Sequence, residues 1–292
     1  MNQHAALDIG FVGLGIMGRH MAGHLQRAGH RLHLFNRSRG GAEPLLAAGA
    51  AWHDTPGEVA ACSDVVVTMV GHPSDVEAIY LGAGGIVERA RAGALLIDMT
   101  TSSPQLAERI AAAAGSKGAY ALDAPVSGGD VGAREARLSI MVGGDAAAFE
   151  RALPVLRLMG ANVVRQGGPG AGQHTKMCNQ IVIASTMMGV CEGLAYARRS
   201  GLDPQTVLAS IKGGAAGSFL LDYMGPRMLQ GDFAPGFFTE HFIKDMGIAL
   251  QEAQRMNLEL PGLALAKRLY DGLAAGGHGR DGTQVLFRHY EG

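Results

Sequence analysis

The stretch Ile9-Gly10-Phe11-Val12-Gly13-Leu14-Gly15-Ile16-Met17-Gly18 decides how this chain of 292 residues is read. Four apolar or small residues come first, as a strand buried on both faces requires. Three glycines then follow in Gly-x-Gly-x-x-Gly spacing, at the mouth of a helix expected to begin near Ile16. Gly13 permits a tight turn, Gly15 lets backbone approach a pyrophosphate, and Gly18 lets helix and strand pack closely. The helix amino terminus adds N–H groups and the positive end of its dipole, so the turn, with Leu14, Ile16 and Met17 between the glycines, is suited to a phosphate. A bare triplet means little among 44 glycines. A strand before it, a helix after it and a second apolar strand at 31–35 make it a dinucleotide-binding turn.

The end of that second strand selects the dinucleotide. An acidic residue there would accept from a ribose 2′-hydroxyl and repel a 2′-phosphate. The chain has Asn36-Arg37-Ser38 instead. A guanidinium between two neutral hydrogen-bonding groups suits a phosphate, so NADP is the expected cofactor. NAD is the alternative, with Arg37 a solvated surface residue.

Outward from this unit, short apolar runs at 9–12, 31–35, 65–70, 95–98, 120–123, 140–142 and 162–164 alternate with Ala-rich, helix-compatible segments. That alternation predicts an α/β domain of the Rossmann type, a doubly wound parallel sheet. After Gly167-Gly168-Pro169-Gly170 the texture changes. No proline occurs between Pro169 and Pro204, and Gly201 supplies a helix stop. A long interdomain helix over 171–200 follows, about 45 Å at 1.5 Å per residue. Further helical patterns occur at 203–211, 244–255 and 263–274. The expected domains are 1–167, binding the dinucleotide, and 168–292, all-helical and serving substrate binding and oligomerisation.

Composition narrows the partners. Twenty-five Lys and Arg against 26 Asp and Glu leave a net charge of −1, which gives no general attraction for nucleic acid or an anionic membrane. Cys62, Cys178 and Cys191 form no CxxC pair, which argues against a disulfide framework or a zinc cluster and for a reducing cytoplasm. The opening residues show no basic n-region, apolar run or cleavage site. The apolar run 181–190 is shorter than the roughly 20 residues of a membrane span and reads as a buried helix. His20 and His24 stand at i and i+4 without a third ligand at a recognisable distance, so no metal is expected. Cys178, Met187 and Met188 are read as core.

Two segments carry chemistry. In Asp123-Ala124-Pro125-Val126-Ser127-Gly128-Gly129, a strand ends in a proline-stiffened turn that offers one hydroxyl beside glycine N–H groups. Such a turn can hold a carboxylate. Lys176 lies early in the long helix, with Asn179 and Gln180 on its face at i+3 and i+4. A hydride added to a carbonyl leaves an alkoxide that needs a proton, and an ammonium can polarise the oxygen and then protonate it. In the reverse direction a neutral lysine accepts the proton, which requires a pKa below its ordinary value.

Together, the 11–18 turn, the 123–129 segment, the 170–180 segment, and Pro235-Gly236-Phe237 leading to Ile243-Lys244-Asp245 resemble the 3-hydroxyacid dehydrogenase family of 3-hydroxyisobutyrate dehydrogenases and tartronate semialdehyde reductases, although many members have Asn four residues after the lysine where this chain has Asn179 at +3 and Gln180 at +4. The resemblance spans essentially the whole chain. It implies that Lys176 is the catalytic residue and that Ser127, Gly128 and Gly129 hold a substrate carboxylate. It also implies that Asn179 or Gln180 positions substrate, that Thr101 lines the nicotinamide side and that Lys244 reaches the cofactor. The implied activity is interconversion of a short 3-hydroxy acid and its semialdehyde by a cytoplasmic homo-oligomer, dimer or tetramer. Gly213-Gly214-Ala215-Ala216-Gly217-Ser218 looks like a tartronate semialdehyde reductase loop, whereas 244–250 looks closer to 3-hydroxyisobutyrate dehydrogenases. Ala136 stands where the family has glycine. Imine reductases of this fold usually lack the lysine, and a non-enzymatic cofactor reader would be expected to lose it or to gain a charged extra module, so retention of Lys176 without such a module argues against both.

Overall fold

A computed structural model of the protein describes residues 6–291. The reading of the opening residues as lacking an export signal falls partly on residues 1–5 and to that extent lies outside the described residues. The chain forms two compact units, one ending at Lys176 and one beginning at Met177.

The first unit is built on a nine-stranded sheet: β1 Asp8–Val12, β2 Arg31–Phe35, β3 Ala51–Trp52, β4 Val65–Thr68, β5 Leu95–Asp98, β6 Tyr120–Asp123, β7 Val126–Ser127, β8 Leu138–Gly144 and β9 Gly160–Gly167. Strands β3-β2-β1-β4-β5-β6 are adjacent in that order and parallel. The order reverses beside β1, and in such sheets ligands bind beyond the carboxyl ends of the strands at this switch point. The parallel expectation needs amendment at the far edge, because β8 runs antiparallel to β6 and β7. A parallel return needs a crossover of a dozen or more residues, and the link 128–137 is too short to provide one. Strands β3 and β7 were not anticipated, each having only two residues. The edge strand β9 runs on through exposed Arg165 and Gln166, which hid its length.

Two apolar layers cover the sheet. Leu25, Leu34, Ile97 and Leu156 belong to one, and Val59, Tyr80, Leu96 and Ile110 to the other. The helix of the glycine turn runs Gly18–Arg27, two residues later than expected, because Ile16 and Met17 remain in the turn. His24 Nε2 lies 3.0 Å from Ala133 O and 3.1 Å from Arg134 O, so this residue docks the helix rather than merely facing solvent.

The helix Ala171–Arg199 matches the expected span and carries the chain into the second unit. There the helices Pro204–Ile211, Phe219–Leu229, Thr239–Arg255 and Pro261–Leu273 and the 3-10 turns Thr283–Tyr290 enclose a core that includes Met187, Cys191, Met228, Phe242 and Tyr270. Asp203 and Ser218 cap two of these helices through their side chains. Phe219–Leu229 was missed because Pro226 lies inside it. Cys178 is exposed, which corrects its assignment to the core. It stands on the outward row of the long helix with His174 and Val182, a quarter-turn from the buried Met177. This helix is long and apolar enough to cross a membrane, as the core helices of many globular proteins also are. Part of it is buried inside the protein, where Met187, Cys191 and Leu194 form core.

Candidate functional site

At the carboxyl end of β1 the three glycines do different work. Gly13 has φ 98°, and a Cβ there would collide with the carbonyl oxygen of Met69. A Cβ on Gly18 would collide with the carbonyl of Gly13, so both positions are dictated by the chain itself. A Cβ on Gly15 would meet no protein atom within 4 Å. The fold places no demand on that position, which leaves close approach of a ligand as the reason for a glycine, and the turn fits a pyrophosphate. Leu14 N donates to Asn36 Oδ1 at 3.1 Å, and Asn36 Nδ2 donates to Ser38 O at 2.8 Å. Asn36 therefore braces the turn against the end of β2, while Arg37 and Ser38 are exposed beside it.

The ends of β4, β5 and β6 carry a buried polar network that sequence reading did not assemble. Thr68 Oγ1 donates to Asp98 Oδ1 at 2.7 Å, and Thr100 N donates to the same oxygen at 3.1 Å. Gln173, from the first turn of the long helix, accepts from Ser102 N at 2.9 Å and donates to Thr100 O at 2.8 Å. Thr101 is half-buried between these two anchored neighbours. Asp123 accepts from Gly170 N and Gln173 N, each at 2.8 Å, and so caps the amino terminus of the long helix. Burial raises its carboxyl to about 6, and these two N–H donors offset only part of that. The signal available in the sequence was an acidic residue closing each of two apolar strands, Asp98 and Asp123.

Ser127 ends β7, and Gly128 (φ 128°) and Gly129 (φ 63°) follow in backbone conformations that favour glycine. Ser127 is half-buried and Gly128 exposed, so this loop is accessible. Lys176 is 6% exposed, and its Nζ donates to Val126 O at 2.8 Å. The ammonium is therefore fixed one residue before the Ser127-Gly128-Gly129 loop. Ala136, at the end of the same segment, has φ 54°.

In the second unit, Gln180 Nε2 donates to Asp245 Oδ2 at 2.6 Å, while Gln180 Oε1 accepts from Asn179 Nδ2 at 2.7 Å. Lys244 Nζ pairs with Asp245 Oδ1 at 3.1 Å. Both functional groups of Gln180 are thus engaged within the protein, and Asp245, fully buried, joins the long helix to Thr239–Arg255.

Residues 8–168 match the family described as the NAD binding domain of 6-phosphogluconate dehydrogenase. Residues 170–290 match the one described as NAD-binding of NADP-dependent 3-hydroxyisobutyrate dehydrogenase. The oxidoreductase YkwC of Bacillus subtilis is 56% identical over 96% of this chain and 97% of its own length. The 2-hydroxy-3-oxopropionate reductase of Escherichia coli is 41% identical over 93% of this chain and 92% of its own. Among solved structures, Mycobacterium tuberculosis 3-hydroxyisobutyrate dehydrogenase with L-serine superposes with a TM-score of 0.90 at 32% identity, covering 98% of this chain and 100% of that one. With the glycine turn, the strand-end loops and the buried lysine in one arrangement, the chain belongs to the 3-hydroxyacid dehydrogenase family of NAD(P)-dependent oxidoreductases.

Proposed function

We propose that this enzyme interconverts a short carboxylic acid bearing a 3-hydroxyl and its semialdehyde, using NADP in preference to NAD. The observation that carries the reading is the 2.8 Å hydrogen bond from Lys176 Nζ to Val126 O, next to the Ser127-Gly128-Gly129 loop. A carboxylate on that loop takes the Ser127 hydroxyl and glycine N–H groups, and its C3 oxygen comes within reach of the ammonium. The nicotinamide, when bound, supplies or accepts the hydride. Lys176 polarises the aldehyde oxygen and donates the proton that completes the alcohol; in the oxidative direction it withdraws the hydroxyl proton.

Of the two amides after Lys176, Gln180 is the brace, both its groups being engaged by Asn179 and Asp245, and Asn179 is the one that positions substrate. Thr101 lines the nicotinamide side, and Lys244 reaches the cofactor. The 2′-phosphate of NADP goes to Arg37 and Ser38, since Asn36 is committed to the glycine turn. A homo-oligomer is proposed because exposed Val182, Tyr196 and Phe219 of the second unit suit burial against another copy. The free cysteines fit a cytoplasmic setting.

The alternative substrate is 2-hydroxy-3-oxopropionate, that of the Escherichia coli relative, favoured by the 213–218 loop. Purified enzyme with NADPH or NADH decides, assayed against that compound, methylmalonate semialdehyde, succinic semialdehyde, sulfolactaldehyde and glyoxylate, and against 3-hydroxyisobutyrate in reverse. Activity confined to acids, and absent from their neutral esters, is the expected pattern. Equal turnover of acid and ester would refute the carboxylate loop.

A further inference from the structure

One cluster of metal-ligating side chains shares no side chain with the site residues described above. His33 from the middle of β2, His53 immediately after β3 and Cys62 at the end of the helix Pro56–Cys62 bring their donor atoms within 4.8 Å of one another, each residue half-buried. His33 Nδ1 and His53 Nε2 are 3.0 Å apart. The outer nitrogen of His33, Nε2, lies 3.2 Å from Asp8 Oδ1. Asp8 in turn is held by Arg31, whose Nε and Nη2 donate at 2.8 and 2.6 Å.

We propose that His33, His53 and Cys62 bind a zinc-like first-row divalent cation. Zn–N distances of about 2.0–2.1 Å and a Zn–S distance of about 2.3 Å in a tetrahedron put neighbouring donors roughly 3.3–3.6 Å apart. The two imidazoles need open by only a few tenths of an ångström, and rotation of the half-buried thiol closes the remaining gap. Asp8 supplies the support such sites use. A carboxylate accepting from the far N–H of a ligating histidine fixes its tautomer and raises its basicity. Here Asp8 holds the proton of His33 on Nε2 and leaves the Nδ1 lone pair facing His53. On binding, the proton of His53 moves from Nε2 to Nδ1, and the Cys62 thiol releases its proton to solvent. Two neutral imidazoles and one thiolate then face the cation, with water in the fourth position. Two nitrogens and a sulfur select zinc or a similar borderline-soft ion over magnesium or calcium. The ligands tie together β2, the exit of β3 and the helix before β4. Asp8 and Arg31 flank them at the amino-terminal ends of β1 and β2, whereas the glycine turn lies beyond the carboxyl end of β1. The cation therefore braces the nucleotide-binding unit without entering the hydride-transfer site.

The test is titration of the protein, with NADP present, by Co²⁺ and then by Zn²⁺. One equivalent of Co²⁺ per chain should produce the visible bands of a tetrahedral ion and a thiolate-to-cobalt charge-transfer band, both removed by one equivalent of Zn²⁺. Zn²⁺ should raise the Tm. Cys62→Ser should abolish the charge-transfer band, and His53→Asn should weaken binding by about tenfold or more. Both variants should retain wild-type kcat and NADPH affinity, which also reports that they are folded. No charge-transfer band in the wild type would overturn the proposal, and that result needs no variant. So would a band of equal intensity in Cys62→Ser, or equal affinity in His53→Asn, since the ion would then sit on other side chains.

Discussion

Replacing Gly15 by alanine separates what the glycine turn does for the fold from what it does for the cofactor. A methyl group at Gly15 meets no protein atom within 4 Å, and the backbone there lies outside the left-handed region. Unfolding free energy should change by less than about 1 kcal/mol, the range of backbone-entropy effects for such a swap. The same methyl stands where a pyrophosphate must touch backbone. Losing one or two charge-assisted hydrogen bonds of about 1.5–3 kcal/mol weakens binding by about 10- to 100-fold or more, at about 1.4 kcal/mol per tenfold. Gly18→Ala should behave oppositely, because its Cβ collides with the carbonyl of Gly13 and destabilises the unit itself. Urea midpoints give the stability arm, and titration of NADPH fluorescence gives the binding arm. If Gly15→Ala kept wild-type NADPH affinity, or lost as much stability as Gly18→Ala, the assignment of Gly15 to the ligand would be refuted.

Arg37→Asp should raise the KM for NADPH by about tenfold or more, through loss of a charge-assisted bond and added repulsion, while NADH kinetics hold nearly constant. An unchanged preference would remove the reason for NADP. Ala136 has φ 54°, a conformation costing a non-glycine residue about 1–3 kcal/mol. Ala136→Gly recovers that and gives up about 0.4–1 kcal/mol of unfolded-state entropy, so the urea midpoint should rise by the equivalent of about 1 kcal/mol; a fall would refute the strain. Asp123, raised to about 6 from 3.8, binds its proton more tightly in the folded state. Its contribution to stability is full below the unfolded value and is lost as pH rises through about 6, up to about 3 kcal/mol at 1.36 kcal/mol per unit. Asp123→Asn should flatten that part of the pH–stability curve measured by denaturant midpoint, and an unaltered curve would contradict the assignment.

Much of this was legible in the order of residues because it depends on local rules. β2, β5 and β6 are continuous or alternating apolar runs, and their bounds could be read directly. The long helix was bounded by Pro169 and Gly201. What escaped depends on distant partners. β7 is only two residues long and exists because β8 returns antiparallel beside it, which no local pattern encodes. Asn36, read as a cofactor contact, also braces the glycine turn, because its oxygen accepts from Leu14 N, a long-range pairing that no local pattern encodes. Gln173 and Asp123 became visible only once the sheet brought residues about fifty to seventy apart together. The His33, His53 and Cys62 cluster was hidden for the same reason, its members lying on three separate elements with no motif spacing.

The central claim is that Lys176 moves the proton. Methionine at this position keeps length and apolar volume and removes the ammonium, so it probes charge at nearly constant shape. Steady-state turnover of Lys176→Met, with NADPH deuterated at the transferred hydride used to establish that hydride transfer limits the rate, is the direct measurement. The account predicts an enzyme that binds NADPH as the wild type does and turns over about 10²- to 10⁴-fold more slowly. Retention of more than about a tenth of wild-type kcat, with the isotope effect expressed, would contradict it.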